Sequence, residues 1–169
     1  MFDREVIFEI KDTLDIARSK GFMIATAESC TDGLIAAALT SVAGSSDVVE
    51  RGFVTYSNDA KVEMIGVDED LITLHGAVSE QVARAMCEGA LKHSHANLTV
   101  SVTGVAGPAG GTKEKPVGTV HFGVTSQDGP TNHVRLQFGD IDRNEIQLKS
   151  LRAALSLLRS QMDTSSSLA

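Results

Sequence analysis

Apolar positions are spaced differently in successive parts of the chain, and their spacing predicts the order of helices and strands. In the first 21 residues, apolar side chains recur every three or four positions, as on the buried face of an amphipathic helix. Gly21 is the predicted end of this helix, because glycine readily adopts the left-handed backbone conformation of a helix C-terminus. The predicted buried face consists of Val6, Ile7, Ile10, Leu14 and Ala17.

Five later stretches predict strands, because they are short, largely apolar or β-branched, and bounded by polar or glycine-rich segments. The turn "QDGP" separates the last two stretches, which therefore form a predicted antiparallel hairpin. The five predicted strands are "FMIAT" (22–26), "GFVTYS" (52–57), "NLTVSVTG" (97–104), "VGTVHFGVTS" (117–126) and "NHVRLQF" (132–138).

Two predicted helices flank the second predicted strand. The stretch "GLIAAALTSVAG" is apolar on nearly all sides, which predicts a helix buried against a sheet. The stretch "NDAKVEMIG" predicts a short helix that has Ser57 or Asn58 as its N-cap and ends at Gly66.

Two further helices are predicted, one before the third strand and one at the C-terminal end. Ser79 caps the first of them, and Asp142 and Glu145 form a variant capping box that opens the second. Their predicted core faces are Val82, Ala83, Met86, Ala90 and Leu91, and Ile146, Leu151, Ala154, Leu155 and Leu158.

The order of these elements predicts the fold class. Alternating helices and strands, followed by a late hairpin, are typical of an α/β fold, here a three-layer α/β/α sandwich with a mixed, mostly parallel sheet. Residues 1–162 form a single predicted domain, because no linker or internal repeat divides them. Residues 163–169 are mostly small and polar, and we expect them to be a disordered tail.

Composition and charge narrow the classes of partner and compartment. The 169 residues carry a formal net charge of −7, which argues against nucleic acid as a partner, because a phosphate backbone requires a basic surface. The two cysteines, Cys30 and Cys87, fit neither a disulfide framework nor a metal site. No apolar run is long enough to cross a membrane. We therefore expect a cytoplasmic protein with a small-molecule partner; the oligomeric state stays open, with a homo-oligomer as one alternative.

Short polar segments follow three of the predicted strands, and they are the main functional signal in the pattern. Ligands of open α/β sheets bind beyond the carboxyl ends of the strands, so parallel strands bring their loops together at one edge. The residues that we expect to meet there are Glu28, Ser29, Thr31, Tyr56, Ser57, Asn58, Lys61, Thr103, Gly104 and Gly107.

Each of these features also has a purely structural interpretation, and the pattern leaves both open. Ser29 or Thr31 can cap a helix; alternatively, a hydroxyl there attacks a carbonyl while the helix amides hold the oxyanion. The glycine-rich loop 104–111 is either a flexible connection or a set of backbone amides that approach an anion closely. Its spacing matches neither the dinucleotide-binding fingerprint nor the P-loop.

A serine nucleophile needs a base, and the three loops contain no histidine. Lys61 is the remaining candidate, because some serine hydrolases use a lysine in this role. Burial would have to lower its pKa from about 10.4 towards neutrality, whereas a solvated Lys61 would be an ordinary surface charge. His121 and His133 lie on the predicted hairpin strands, where a metal-binding pair is a minor alternative.

Five segments of the chain, in their order and spacing, resemble the CinA C-terminal domain family. The segments are "TAESCTDGLIAAALTSVAGSS", "ERGFVTYSNDAKVEMIGV", "HGAVSEQVA", "SVTGVAGPAGG" and "EKPVGTVHFGV". The resemblance covers most of the chain and implies the stand-alone form, without the pyrophosphatase-like domain of full-length members. Enzymatic members are nicotinamide-nucleotide amidohydrolases. The resemblance therefore implies deamidation of nicotinamide mononucleotide to nicotinate mononucleotide and ammonia, in pyridine nucleotide salvage and without cofactor or metal.

The resemblance also implies roles for individual positions. The family's serine and lysine fall on Ser29 and Lys61, as nucleophile and base, and its tyrosine falls on Tyr56, as a proton relay. Its threonine and arginine fall on Thr103 and Arg143, which would hold the phosphate. Together with the loop residues, the predicted substrate-binding positions are Glu28, Thr31, Gly33, Ser57, Asn58, Thr103, Gly104, Gly107 and Arg143.

One residue departs from the family pattern, which usually has "ESCTGG" where this chain has "ESCTDG". Asp32 brings a carboxylate close to the implied phosphate site and replaces a residue that tolerates unusual backbone angles. It leaves a second function open, that of a nucleotide-binding module without amidase chemistry. In this turn we expect Ser29 to be the nucleophile, Thr31 to cap the helix and Cys30 to be a packed side chain, with a cysteine hydrolase as the alternative.

Overall fold

A single five-stranded sheet forms the middle of the computed structural model, which describes residues 1–166. Four strands run in one direction and the fourth strand along the chain runs in the other, which confirms the predicted mixed, mostly parallel sheet. The strands are β1 (Ile24–Glu28), β2 (Val49–Val54), β3 (Leu98–Gly104), β4 (Thr119–Ser126) and β5 (Asn132–Gln137), arranged in the order β2-β1-β3-β4-β5.

Helices cover both faces of the sheet, which confirms the three-layer α/β/α fold. The helices are α1 (Arg4–Lys20), α2 (Leu34–Thr40), α3 (Asn58–Ile65), α4 (Glu69–His75), α5 (Glu80–Lys92) and α6 (Arg143–Ser166). One face packs against α1, α2 and α6 through the larger apolar core, and the other packs against α3, α4 and α5. None of the helices among residues 1–166 has the length and apolar character needed to cross a membrane.

Helix ends follow the capping chemistry that the sequence predicts. Gly21 ends α1 with a φ of 73°, and Gly66 ends α3 with a φ of 68°, both in the left-handed region where glycine is favoured. Of the two candidates for the start of α3, Ser57 is the N-cap, because its hydroxyl accepts from the Ala60 amide at 3.0 Å. Ser79 caps α5 in the same way.

Element boundaries differ from the predictions in the first half of the chain. Helix α2 ends at Thr40, four residues early, because Gly44 has a φ of 81° and a short 3-10 turn, Ser45–Asp47, follows it. Strand β2 begins three residues before the predicted start, at Val49. Helix α4 has two turns, is capped by Asp68 and was not predicted, because so short a segment shows little periodicity.

The predicted C-terminal boundary is also wrong, because α6 continues through Ser166. The Lys20 ammonium donates to the Met162 carbonyl oxygen and the Asp163 carboxylate, and the hydroxyls of Ser126 and Ser165 lie 3.1 Å apart. These contacts attach the last turn to α1 and to the sheet, so residues 163–166 are helical. The remainder of the predicted tail, 167–169, lies outside the described residues.

The topology brings three loops to one edge of the sheet. Strand β1 pairs in parallel with both β2 and β3, and Glu28 at its end is level with Val54 and Val102. The segments that follow these strands are therefore neighbours, as the sequence analysis predicts.

Candidate active site

A cleft of about 350 Å³ opens at this edge of the sheet. The cleft lies where ligands of open α/β sheets bind. Its lining includes eight of the predicted site residues: Ser29, Tyr56, Asn58, Lys61, Thr103, Gly104, Gly107 and Arg143. The other four predicted positions, Glu28, Thr31, Gly33 and Ser57, are not part of this lining.

Ser29 and Lys61 meet in the cleft, although 31 residues separate them in the chain. Ser29 follows β1 directly, and Lys61 projects from the first turn of α3. The Lys61 Nζ lies 3.1 Å from the Ser29 Oγ, which is hydrogen-bonding distance. A nucleophile and a base in direct contact are the minimal requirement for serine-type hydrolysis.

Lys61 is buried to an unusual degree for a lysine, with 1% of its surface exposed. Its amine also donates to the Thr55 carbonyl oxygen at 2.8 Å and to the carbonyl oxygen of Tyr56 at 3.3 Å. These bonds fix the direction of the side chain. Burial lowers the pKa of Lys61 from 10.5 to about 8, because removal from water disfavours the charged amine. A substantial neutral fraction is therefore available near physiological pH.

Glu28 stabilises the turn of residues 29–33, called here the nucleophile turn because it begins with Ser29. Its side chain does not face the cleft. Its carboxylate is 1% exposed and accepts from the Ile35 amide at 3.0 Å and the Ala36 amide at 2.7 Å, which caps α2. Burial raises the pKa of Glu28, and the hydrogen bonds that it accepts offset part of this effect. The predicted substrate contact of Glu28 is thus corrected to a capping role.

This arrangement changes the predicted roles of Thr31 and of the helix amides. The Thr31 hydroxyl donates to the Glu28 carboxylate at 2.7 Å, so it does not cap the helix as predicted. The Ile35 and Ala36 amides are already bonded to Glu28 and do not remain for an oxyanion. Among residues 1–166, no backbone carbonyl accepts from the amides of Cys30 or Thr31, which belong to the turn beside Ser29.

Three other residues that were predicted to contact the substrate have roles in the backbone structure instead. The Ser57 hydroxyl caps α3, and the Thr103 hydroxyl donates to the Ala77 carbonyl oxygen at 2.8 Å. Gly33 begins α2 with a φ of 90°, and a Cβ there would lie 3.2 Å from the Val54 side chain. Thr103 still lines the cleft, whereas Ser57 and Gly33 lie outside its lining.

Arg143 also lines the cleft, and it is held by two hydrogen bonds. One guanidinium nitrogen donates to the Gly107 carbonyl oxygen at 2.9 Å, and the other donates to the Asp32 carboxylate at 3.0 Å. The Gln147 amide donates to the same carboxylate oxygen at 2.7 Å, one helical turn after Arg143. Sequence analysis missed Gln147, and its only signal was the spacing of four residues from Arg143 on α6.

Tyr56 belongs to the mouth of the cleft. Its side chain is 63% exposed and lies close enough to Arg143 to help raise the pKa of the guanidinium, after the larger effect of Asp32. Its carbonyl oxygen, not its hydroxyl, contacts the Lys61 amine. The observed contacts thus place the Tyr56 side chain beside Arg143. This position differs from the one predicted for a proton relay, which would lie beside Lys61.

The thiol of Cys30 is poorly suited to nucleophilic attack. The residue is 6% exposed, and burial raises the pKa of its thiol to about 12, so it stays protonated at neutral pH. The alternative of a cysteine hydrolase therefore loses its main physical support, and Cys30 fits the predicted packed side chain.

His121 and His133 face each other on the hairpin, as the sequence analysis predicts, but they lie outside the cleft lining. Their ring nitrogens are 2.8 Å apart and the rings are stacked. Within residues 1–166 there is no group of three or more metal-binding side chains.

Comparison with known proteins shows the family to which this fold belongs. The family model described as "CinA C-terminal domain" matches residues 9–162. This chain belongs to the CinA C-terminal domain family. Among solved CinA-family structures, the competence/damage inducible protein CihA from Agrobacterium tumefaciens superposes with a TM-score of 0.93 at 48% identity, covering 95% of this chain and 98% of that one.

Relatives in the CinA family differ in length and in name. The nicotinamide-nucleotide amidohydrolase PncC of Enterobacter agglomerans is 50% identical over 142 residues, which cover 82% of this chain and 86% of that protein. A CinA-like protein of Mycolicibacterium gilvum is 53% identical over 139 residues, 82% of this chain but 33% of that protein. The chain thus spans about a third of that longer relative, and 38% of one from Caldicellulosiruptor bescii. The PncC relative supports hydrolase activity in the family.

Proposed function

We propose that this CinA-family chain is an amidohydrolase that converts nicotinamide mononucleotide to nicotinate mononucleotide and ammonia, in pyridine nucleotide salvage. The contact between the buried Lys61 amine and the Ser29 hydroxyl carries the proposal, because it pairs a base with a nucleophile inside the cleft. The similarity to PncC supports the choice of substrate. A cytoplasmic location is part of the proposal, supported by two unpaired thiols.

The first half of the proposed reaction forms an acyl-enzyme. Neutral Lys61 accepts the proton of Ser29 as the Oγ attacks the carboxamide carbon, and the carbonyl π electrons move onto oxygen. The Lys61 ammonium then donates a proton to the carboxamide nitrogen. The C–N bond breaks, ammonia leaves, and the nicotinoyl group remains as an ester on Ser29.

The second half returns the enzyme to its starting state. Lys61, neutral again after protonating the leaving group, accepts a proton from a water that attacks the ester carbon. The C–O bond to Ser29 then breaks, and the serine oxygen recovers its proton from Lys61. We assign the oxyanion of both steps to the turn amide of Cys30, which lines the cleft, since Glu28 occupies the Ile35 and Ala36 amides of α2.

The nucleotide part of the substrate is assigned to the part of the cleft beside Arg143. A guanidinium is the side chain best suited to a phosphate, and the backbone from Gly104 to Gly107 lines the space beside it. The exposed ring of Tyr56 lies at the mouth, on the same side as Arg143. The substrate would thus extend from Ser29 to Arg143.

Release of ammonia from nicotinamide mononucleotide by the purified chain tests the proposal directly. We expect one nicotinate mononucleotide for each ammonia, and no ammonia with the Ser29→Ala variant. The alternative, a nucleotide-binding module without the chemistry, predicts binding of the mononucleotide without release of ammonia. A folded wild-type protein that binds the mononucleotide but releases no ammonia would contradict the proposal.

A further inference from the structure

Asp32 lies in the turn that follows Ser29, at a position where the resemblance to the CinA family implies a glycine. Its backbone has a φ of 54°, in the left-handed region, which explains why glycine suits this turn. Aspartate and asparagine are the residues that best tolerate this conformation after glycine. The substitution therefore keeps the turn and adds a carboxylate to it.

That carboxylate is directed at the cation of the substrate cleft. Its Oδ2 accepts from the Arg143 Nη2 at 3.0 Å, while the Arg143 Nη1 is used by the Gly107 carbonyl oxygen. Both terminal nitrogens of the guanidinium thus already have one partner. A phosphate that accepted hydrogen bonds from both Nη1 and Nη2 of Arg143 would compete with Asp32 for Nη2.

Gln147 holds the carboxylate in this position. Its amide nitrogen donates to the Asp32 Oδ2 at 2.7 Å and to the Cys30 carbonyl oxygen at 3.0 Å. Two donors from α6 therefore converge on one carboxylate oxygen, and the second of them is tied to the nucleophile turn. Displacement of Asp32 from Arg143 would disturb this set of bonds.

The charge balance of the cleft follows from these contacts. Of the described residues that line it, Lys61 and Arg143 are the cationic ones, and Lys61 must be neutral to act as a base. Arg143 is then the permanent cation of the working site, and Asp32 cancels its charge at contact distance.

We propose that Asp32 is a specificity-determining residue that competes with the substrate phosphate for Arg143, so that the cleft discriminates weakly between phosphorylated and phosphate-free pyridine carboxamides. The inference rests on the proposed function. The substrate class is thereby widened from the mononucleotide to its riboside, which lacks the phosphate but carries the same carboxamide.

The test compares Asp32→Asn and Asp32→Gly with the wild type on nicotinamide mononucleotide and its riboside. Asparagine tolerates the same backbone, and glycine restores the family residue. We expect the KM for the mononucleotide to fall by about three- to tenfold in both variants, and the KM for the riboside to change by less than about twofold. Asp15→Asn, which removes the same charge from an exposed position on α1, is the matched control and should change neither constant. An unchanged or increased KM for the mononucleotide in both Asp32 variants would overturn the proposal.

Equilibrium binding separates this inference from the proposed function. The dissociation constants of the mononucleotide and the riboside can be measured by calorimetry in the Ser29→Ala background, with and without Asp32→Asn. If the wild type releases no ammonia, the proposed function fails, and these constants still test Asp32. Tighter binding of the mononucleotide alone in the Asp32→Asn protein supports its role. An unchanged ratio of the two constants, or no binding by either protein, overturns it.

Discussion

The pH dependence of catalysis tests the role of Lys61 in depth. A general base must be neutral before attack, and burial lowers the pKa of this amine from 10.5 to about 8. At pH 7, about one side chain in ten is then neutral, compared with about one in 3,000 for an unperturbed lysine. Burial therefore increases the fraction of Lys61 side chains that are neutral at pH 7 by about 300-fold. The value of kcat/KM should rise about tenfold per pH unit below pH 8 and level off above it.

Two substitutions at Lys61 separate the chemistry of the amine from its packing. Lys61→Met keeps the apolar stem and should lower kcat/KM by about a hundredfold or more, with no alkaline-rising arm in the remaining rate. Lys61→Arg should not restore activity, because a guanidinium stays protonated. The exposed Lys92 provides the matched control, and Lys92→Met should keep the wild-type rate and profile.

Stability measurements complete this comparison. Lowering the pKa of Lys61 to about 8 costs the folded state about 3 kcal/mol at pH 7, offset by the hydrogen bonds of the amine. Lys61→Met should thus unfold at no lower urea concentration than the wild type, so lost activity would not reflect lost structure. An active Lys61→Arg enzyme with the wild-type pH profile would refute the serine–lysine mechanism.

Substitutions at three further positions, each judged against a control, test the remaining parts of the site. Ser29→Ala should abolish ammonia release while calorimetry still detects the mononucleotide, whereas Cys30→Ser should retain activity; the reverse result would make the thiol the nucleophile. Arg143→Ala should raise the KM for the mononucleotide by about five- to thirtyfold and that for the riboside much less, and equal effects would remove Arg143 from the phosphate site. Glu28→Gln should lower the free energy of unfolding by about 1–3 kcal/mol in urea titrations, because the new amide hydrogens would face the donors that now bond to the carboxylate. Glu63→Gln, at an exposed position, is the control. Equal stability of the two variants would contradict the capping role of Glu28.

The meeting of Ser29 and Lys61 was predictable because it depends on topology. Three strands of one direction place their following loops at one edge, and the strand patterns were strong enough to predict those three loops. The Ser57 cap and the glycine at the end of α3 were predictable for a similar reason, since capping chemistry is local in sequence.

Other features of the site were not accessible from the pattern. A carboxylate such as Glu28 can face a ligand or cap a helix from the same position, and the choice depends on how the 29–33 turn brings α2 back over β1. The contact of Asp32 with Arg143 joins residues 111 positions apart, so only the packing of α6 reveals it. The cost of placing Lys61 in the interior likewise depends on tertiary burial, which the sequence does not encode locally.

The most direct test of the central claim, that Ser29 and Lys61 act as one catalytic unit, is the kcat/KM of the Ser29→Ala, Lys61→Met double variant with nicotinamide mononucleotide. If Lys61 works through the Ser29 hydroxyl, the double variant should lose no more activity than the more impaired single variant. If the two residues contribute independently, their losses in activation free energy should add. Additive losses would contradict the mechanism, even with ammonia release by the wild type established.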